Sequence, residues 1–344
     1  MLQLKSRRRW AVFFPLFFIS FLGCFLLSLP AETQAEANKV SFDAQAVLPD
    51  NQRSNASYYD LNVKPGTSQD LTIKLKNNSS RQVKVKVSGN NARTNQNGAL
   101  DYSKHDQKLL GGPTFEEMIS PPQTVTLQPA AEQTVTFKLK IPAAGFDGTV
   151  LGGFYCYEDT KEQEEKNEGF SLTNKFAYTI GAQLTCSDAV IKPAFALTKV
   201  EPGLDDGYLT IFATLENSQP VLMSQMEMKA TVTKKGKDTP LREVQKTISF
   251  APRTQFRLPI SWENEPLKKG KYELVIQLKD ASQKSWLLKK EFEIKGTDEK
   301  LNKEAVEVSK EKTDYEIFYG ALFICFIIIL GLIVYIVRLR QKQS

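Results

Sequence analysis

From Val40 to Ile294 apolar and polar residues alternate in short runs separated by turns, and almost no stretch carries the period of a helix. Leu71, Ile73 and Leu75 alternate with Thr72, Lys74 and Lys76; Val83, Val85 and Val87 with Lys84 and Lys86; Val135, Phe137, Leu139 and Ile141 with Thr136, Lys138 and Lys140. Each run predicts a strand with one wet face, and strands that bury one side only must stack as two sheets. Pro65-Gly66, Asn77-Asn78, Gly89-Asn90, Asn97-Gly98 and Pro129 punctuate the runs as turns. Gly152-Gly153 interrupts the run from Gly148 to Tyr157, which predicts a bulge or a close approach of backbone. A short helix is expected around Pro113 to Ile119. After the charged loop from Glu158, a strand from Phe176 to Thr185 closes the first set.

Seven more runs follow: Phe195 to Val200, Leu209 to Leu215, Met226 to Thr233, Val244 to Phe250, Gln255 to Ile260, Tyr272 to Leu278 and Trp286 to Ile294. Seven short strands is the count of an immunoglobulin-like sandwich. Met226, Met228, Ala230 and Val232 alternate as one face, so these methionines read as core rather than as a soft-metal site. The fold class is therefore all-β, with two tandem immunoglobulin-like sandwiches, residues 38–187 and 188–296.

The ends depart from this pattern. Ile317 to Val337 has 21 residues without a charge, enough at about 1.5 Å per residue to cross the roughly 30 Å of a bilayer's hydrocarbon core. Tyr319 and Tyr335 stand near its ends, and Arg338, Arg340 and Lys342 follow as the stop of a transmembrane helix, placing residues 338–344 in the cytoplasm. At the other end, Lys5, Arg7, Arg8 and Arg9 precede an apolar run from Trp10 to Leu29, with small-residue cleavage sites near Ala35 and Ala37. This predicts a signal peptide over 1–37, with an uncleaved signal anchor as the alternative. Residues 297–316, rich in both charge signs and poor in large apolar groups, read as a flexible stalk. The expected protein is a single-pass plasma-membrane protein with its sandwiches outside.

Charge and chemistry narrow the function. Four positives without an acid in residues 1–30, and three in 317–344, leave −1 of the total +6 for everything between. The basic balance is a topology signal, and the exported part offers no footprint for nucleic acid. His105 is the one histidine and sits in a polar segment, so no zinc site and no cofactor are expected. There is no G-x-S-x-G, H-E-x-x-H, P-loop or dinucleotide fingerprint. Ser309 and Lys312 match S-x-x-K, but within the stalk, where nothing would hold a nucleophile against its base. Cys156 and Cys186 are the exported cysteines. The compartment permits a disulfide, but a hairpin around the charged loop would set them several residues apart, which favours two free, half-buried thiols.

Several stretches resemble the WxL-interacting protein family of Gram-positive cell surfaces. In the first domain they are Leu48-Pro49 with Asn51-Gln52, Tyr59-Asp60-Leu61 running into Val63-Lys64-Pro65-Gly66, Leu75-Lys76-Asn77, Ala92 with Thr94-Asn95, Asn97-Gly98 followed by Asp101-Tyr102, and Gly148 with Leu151-Gly152-Gly153. In the second they are Ala251-Pro252 with Phe256, Gly270-Lys271-Tyr272, Trp286, Phe292-Glu293-Ile294 and Leu301-Asn302. The resemblance implies a membrane-tethered, non-enzymatic scaffold. Its first domain would bind peptidoglycan and WxL-domain proteins, and its second host extracellular-matrix components. Arg253 stands where the family usually has Asn after Ala-Pro, and Cys156 and Cys186 lie outside the pattern. Glycan strands offer hydroxyls and amides, which marks Asn51, Gln52, Tyr59, Asp60, Asn95 and Tyr102 as candidate contacts. The competing reading of the same segments is turn chemistry, with Asn97-Gly98 first a hairpin signal. Competing functions are an adhesin acting through the second domain alone and a cell-envelope hydrolase.

Overall fold

The computed structural model describes residues 40–159 and 176–308, and beyond them 323–329, 331, 332 and 338. The expected signal peptide, most of the charged loop after Glu158, and Arg340 and Lys342 lie outside the described residues.

The alternation seen in the sequence becomes ten strands in the first half: β1 (Phe42–Val47), β2 (Tyr59–Asn62), β3 (Ser68–Asn77), β4 (Val83–Asn91), β5 (Arg93–Thr94), β6 (Leu100–Asp101), β7 (Gln123–Leu127), β8 (Glu132–Lys140), β9 (Thr149–Glu158) and β10 (Ala177–Thr185). A three-stranded sheet, ordered β1-β3-β8, faces a five-stranded one, ordered β2-β10-β9-β4-β7, and β5 and β6 form a separate hairpin. Neighbours run antiparallel except β2, which lies parallel to β10 over Ala182–Thr185. On β3, Leu71, Ile73 and Leu75 are buried, while Lys74 and Lys76 on the wet face reach Glu132 of β8 at 2.6 and 3.3 Å. Between the sheets the ring of Phe154 lies 5.9 Å from Tyr59, 5.7 Å from Phe115 and 4.9 Å from Phe137.

The expected short helix is a single turn, Phe115–Met118, fixed by a capping box. Thr114 Oγ1 accepts the Glu117 N–H at 3.2 Å and the Glu117 carboxylate accepts the Thr114 N–H at 3.1 Å. This turn drives Phe115 into the core. Gly152-Gly153 makes no bulge, because β9 keeps unbroken register with both β10 and β4. Its glycines serve close approach instead. A Cβ on Gly152 would sit inside the ring of Phe115, and one on Gly153 would lie 2.8 Å from the ring of Tyr102.

The second half has the seven expected strands: β11 (Phe195–Asp205), β12 (Tyr208–Asn217), β13 (Met223–Lys234), β14 (Pro240–Phe250), β15 (Thr254–Ser261), β16 (Gly270–Lys279) and β17 (Ser285–Ile294). Sheet β11-β12-β15 packs on β14-β13-β16-β17, and Met226, Met228, Ala230 and Val232 face its core.

One expectation changes. Residues 297–308 do not form a free coil. Asp298–Lys300 is a 3-10 turn and Leu301–Glu304 a helical turn, and Leu301, Ala305 and Val308 pack on the second core. Asn302 clasps Leu267 at both backbone groups, donating to its carbonyl at 3.0 Å and accepting its N–H at 2.8 Å. The apolar contacts of Leu301, Ala305 and Val308 hold the segment against the second sandwich despite the charge around them. Of the apolar stretch Ile317–Val337, residues 323–329, 331 and 332 are described; they are helical, with exposed side chains such as Phe323, Ile327 and Leu332. Among the described residues no helix is long and apolar enough to cross a membrane.

Candidate functional site

Part of the family likeness, Ala92, Thr94, Gly98, Tyr102, Leu151 and Ala251, meets at the seam between the two sandwiches. Thr94 of the β5–β6 hairpin is nearly fully buried there. Its hydroxyl donates to the Ser249 carbonyl and accepts the Ala251 N–H, both at 2.9 Å. The Gly98 carbonyl accepts the Ser249 N–H at 2.7 Å, the Pro220 carbonyl accepts the Thr149 N–H at 2.7 Å, and the Arg253 carbonyl accepts the Leu110 N–H at 2.8 Å. Ala92, Leu151 and Ala251 form the apolar centre, with Leu100, Tyr102 and Leu222 against it. Gly98 needs its glycine twice over: φ is +80°, and a Cβ would lie 2.2 Å from the Ile248 side chain. Arg253 takes a left-handed φ of 52°, a conformation Asn adopts more readily. Here the guanidinium donates to the Pro113 carbonyl across the seam at 3.2 Å.

The six candidate contacts fall into two groups. Asn51, Gln52, Tyr59 and Asp60 gather on β2 and the turn before it. Asn51 Nδ2 donates to the Asn62 carbonyl and to Gln69 Oε1, each at 2.9 Å. Gln52 Nε2 donates to the Tyr58 carbonyl at 2.7 Å, and its Oε1 accepts the Asp60 N–H at 3.2 Å. Tyr59 is fully buried and donates its hydroxyl to the Thr72 carbonyl; burial raises its phenol pKa. Asp60 is buried, with Arg53 4.0 Å from Oδ1, an oxygen that no hydrogen bond reaches. Asn95 and Tyr102 belong to the seam. The Asn95 side chain accepts the N–H groups of Asn97 and Ala99 at 2.9 and 3.1 Å, shaping the hairpin turn. Tyr102 packs over Gly153, and burial pushes its phenol up to about 12.

What the first group positions is Tyr58, which the sequence reading passed over. Tyr58 is 42% exposed. With Tyr102 it walls a groove of 770 Å³ whose floor is small, formed by Ala44, Ala46, Gly181 and Ala182. No charged side chain lines it. A second cleft, of 730 Å³, opens beside the β5–β6 hairpin against β15 and is charged, with Arg93, Lys108, Asp205, Asp206 and Arg257 in its walls. Asp101, which also lines it, receives Arg93 Nε at 2.8 Å.

His105 lies half exposed with Nδ1 3.1 Å from Asn90 Oδ1. With Asp106 and Glu116 it makes the one grouping of potential metal ligands among the described residues. Both Glu116 oxygens already accept backbone N–H groups, from Asn91 and Asp106. Cys156 and Cys186 are free. Cys156 faces Tyr178 across the sheet, within one residue of the expected register, and Thr185 faces Thr149, which keeps the sulfurs apart. Cys156 is buried, which pushes its thiol up to about 12.

Two sandwiches locked by a bonded seam, with clefts opening beside it, define a two-module binding protein. Comparison with known families gives the particular kind: residues 42–158 match the WxL Interacting Protein peptidoglycan binding domain, and residues 167–303 match the WxL Interacting Protein host binding domain. The chain belongs to the WxL-interacting protein family, and its matched parts are binding domains of a cell-surface protein rather than enzymes. The second match begins before β10, yet β10 pairs within the first sandwich. None of the curated proteins matches the chain. Solved structures show only distant likeness. A chain of a chaperone–tip adhesin complex of CFA/I fimbriae is 12% identical, covering 73% of this chain and 99% of that one, with a TM-score of 0.31. The Pseudomonas aeruginosa CupB2 chaperone is 10% identical over 67% and 96%, with a TM-score of 0.26. The E. coli chaperone DraB is 14% identical over 74% and 98%, with a TM-score of 0.28. At these scores the likeness carries no argument.

Proposed function

We propose that the chain is a non-enzymatic scaffold of the Gram-positive cell surface, anchored in the plasma membrane by Ile317–Val337, with both sandwiches facing the wall and residues 338–344 in the cytoplasm. It holds WxL-domain proteins and peptidoglycan through the first sandwich and turns the second toward host extracellular-matrix proteins. The observation that carries this reading is the order of parts: a peptidoglycan-binding match, then a host-binding match, then a 21-residue stretch without a charge.

The seam supports joint action. Loop 249–253 of the second sandwich is hydrogen-bonded to the first, which weighs against an adhesin whose first domain is only a spacer. Docking of residues 297–308 also shortens the leash to residues 309–316. Eight residues reach at most about 28 Å, so the body stays close to the bilayer, and a weak wall contact gains from high effective concentration.

Full-length chain in detergent, incubated with purified peptidoglycan and with a purified WxL-domain protein, tests the scaffold. Retention by both is expected; retention by neither removes the reading. Protease added to cells with opened walls should cleave the sandwiches and spare the C-terminal tail. Cleavage of the tail alone reverses the orientation.

A further inference from the structure

Leu48 and Tyr58, each more than 40% exposed, line the groove between β1 and β10. Gly181 sits beneath the gap between the two tyrosines. A Cβ there would lie 3.8 Å from both the Tyr102 hydroxyl and the Tyr58 side chain, so the slot is about one flat layer wide and is open because residue 181 lacks a side chain. Tyr102 is half-buried and packed over Gly153. Tyr58 is steadied by the Gln52 bond to its carbonyl. Gln45, Gln183, Ser57 and Thr179 ring the slot. Amides and hydroxyls offer donors and acceptors together.

An added polypeptide strand is the rival occupant, because β2 covers only Ala182–Thr185 of β10 and leaves Ala177–Gly181 without a strand on that side among the described residues. A strand added there, about 4.8 Å from β10, would compete with β1 at the Tyr178 end of that edge. Tyr178 donates its hydroxyl to Asp43 at 2.6 Å and its ring meets Phe42 at 5.4 Å, which draws β1 against that edge. A neutral ligand of rings, hydroxyls and amides fits better: its C–H faces lie on tyrosine, its polar groups meet the amide rim, and no charge is left desolvated. The groove's volume is that of an ordinary small-ligand site.

We propose that this groove, over Gly181 and between Tyr58 and Tyr102, binds the uncharged N-acetylated sugar backbone of peptidoglycan. The assignment rests on the peptidoglycan reading above and names its site.

The test uses the full-length chain with two probes, purified peptidoglycan and an N-acetylglucosamine tetramer, and two variants. Tyr58→Ala removes one wall. Gly181→Leu fills the slot at a position where a Cβ makes only ordinary contacts. Both should keep the thermal midpoint of the unaltered chain and lose about tenfold or more in affinity for each probe; Gln183→Ala should lose less. If the unaltered chain binds peptidoglycan and both variants bind it equally well, the groove is overturned while the peptidoglycan reading stands. An unaltered chain that binds neither probe overturns both. Should the variants keep the sugar and lose capture of a purified WxL-domain protein, the groove belongs to a polypeptide and the proposal falls.

Discussion

Each sandwich ends one strand on a fully buried asparagine, and the two are put to different uses. Asn77 closes β3 and Asn217 closes β12, in the similar stretches Leu75-Lys76-Asn77-Asn78 and Leu215-Glu216-Asn217-Ser218. Asn77 Nδ2 donates to the carbonyls of Arg81, Leu127 and Gln128 at 2.7 to 3.1 Å, and its Oδ1 accepts the Ser79 N–H. Asn217 Nδ2 donates to Val221 at 2.8 Å and Ala251 at 3.1 Å, and its Oδ1 accepts the Gln219 N–H. The first asparagine ties a loop within its own sandwich. The second ties the loop whose Ala251 N–H reaches Thr94 of the other sandwich. One local device serves a turn in one case and a joint between modules in the other.

Substitution separates the two roles. Asn77→Ala takes the side-chain donor from the Leu127 carbonyl, while Ser79 and Ala131 still reach the carbonyls of Arg81 and Gln128; Asn217→Ala takes it from Val221, while Thr254 still reaches Ala251, so each should cost about 2 kcal/mol. Trp262 and Trp286 both lie in the second sandwich, and the one other tryptophan is Trp10, so tryptophan fluorescence during urea unfolding reports the second sandwich. Asn217→Ala should move that transition strongly, and Asn77→Ala should move the circular-dichroism transition more than the fluorescence. Equal movement of both signals by both variants would mean that the sandwiches unfold as one unit. Gly98→Ala acts on the joint alone. A left-handed residue gains a Cβ against Ile248, at a cost of about 1–2 kcal/mol, and the linker of residues 186–194 should become more open to protease. Unchanged proteolysis would count against the seam as a rigid joint. Thr94→Val keeps shape and removes one hydroxyl that both gives and takes a bond; about 1 kcal/mol is expected.

The strands were legible in the sequence because alternation is local, and the short helix around Pro113 to Ile119 and the methionine face of β13 were legible for the same reason. The seam was not. Thr94 and Ala251 are 157 positions apart, and nothing in the hairpin signal Asn97-Gly98 says that another module lies across it. Asn95, read as a sugar contact, is engaged in shaping that hairpin. Tyr58 was hidden by its neighbour: parity sends Tyr59 inward and Tyr58 outward, but its groove needs Gly181 and Leu222 from distant parts of the chain. In 297–308 composition misled, since charge averages conceal three apolar residues, Leu301, Ala305 and Val308, that pack on the second core.

Acid gives the mildest test of the difference between the modules. Four carboxylates of the first sandwich, Asp43, Asp101, Glu132 and Glu158, titrate below their ordinary value, and the two more buried of them, Asp101 and Glu158, have the most to lose. At Asp101 burial is the largest single influence and acts upward, but the Ser103 N–H and hydroxyl and the Arg93 guanidinium outweigh it. At Glu158 burial again acts upward and is outweighed by hydrogen bonds from Arg81 and Ser41. A carboxylate depressed on folding stabilises the fold above its unfolded pKa of about 4, and the contribution is lost as pH falls through the folded value. Among the described residues of the second sandwich the depressed carboxylate is Asp280, which is fully exposed and held by Ser282 and Lys284, so screening leaves it little to lose. Lowering pH from about 7 to about 3 should therefore weaken the first sandwich and the hairpin at the seam before the second, by up to about 1 kcal/mol per group. Hydrogen exchange read strand by strand checks it: β4, β5 and β9 should lose protection while β13 and β16 keep theirs. The reverse order would place the acid-sensitive pairs in the host-binding module instead.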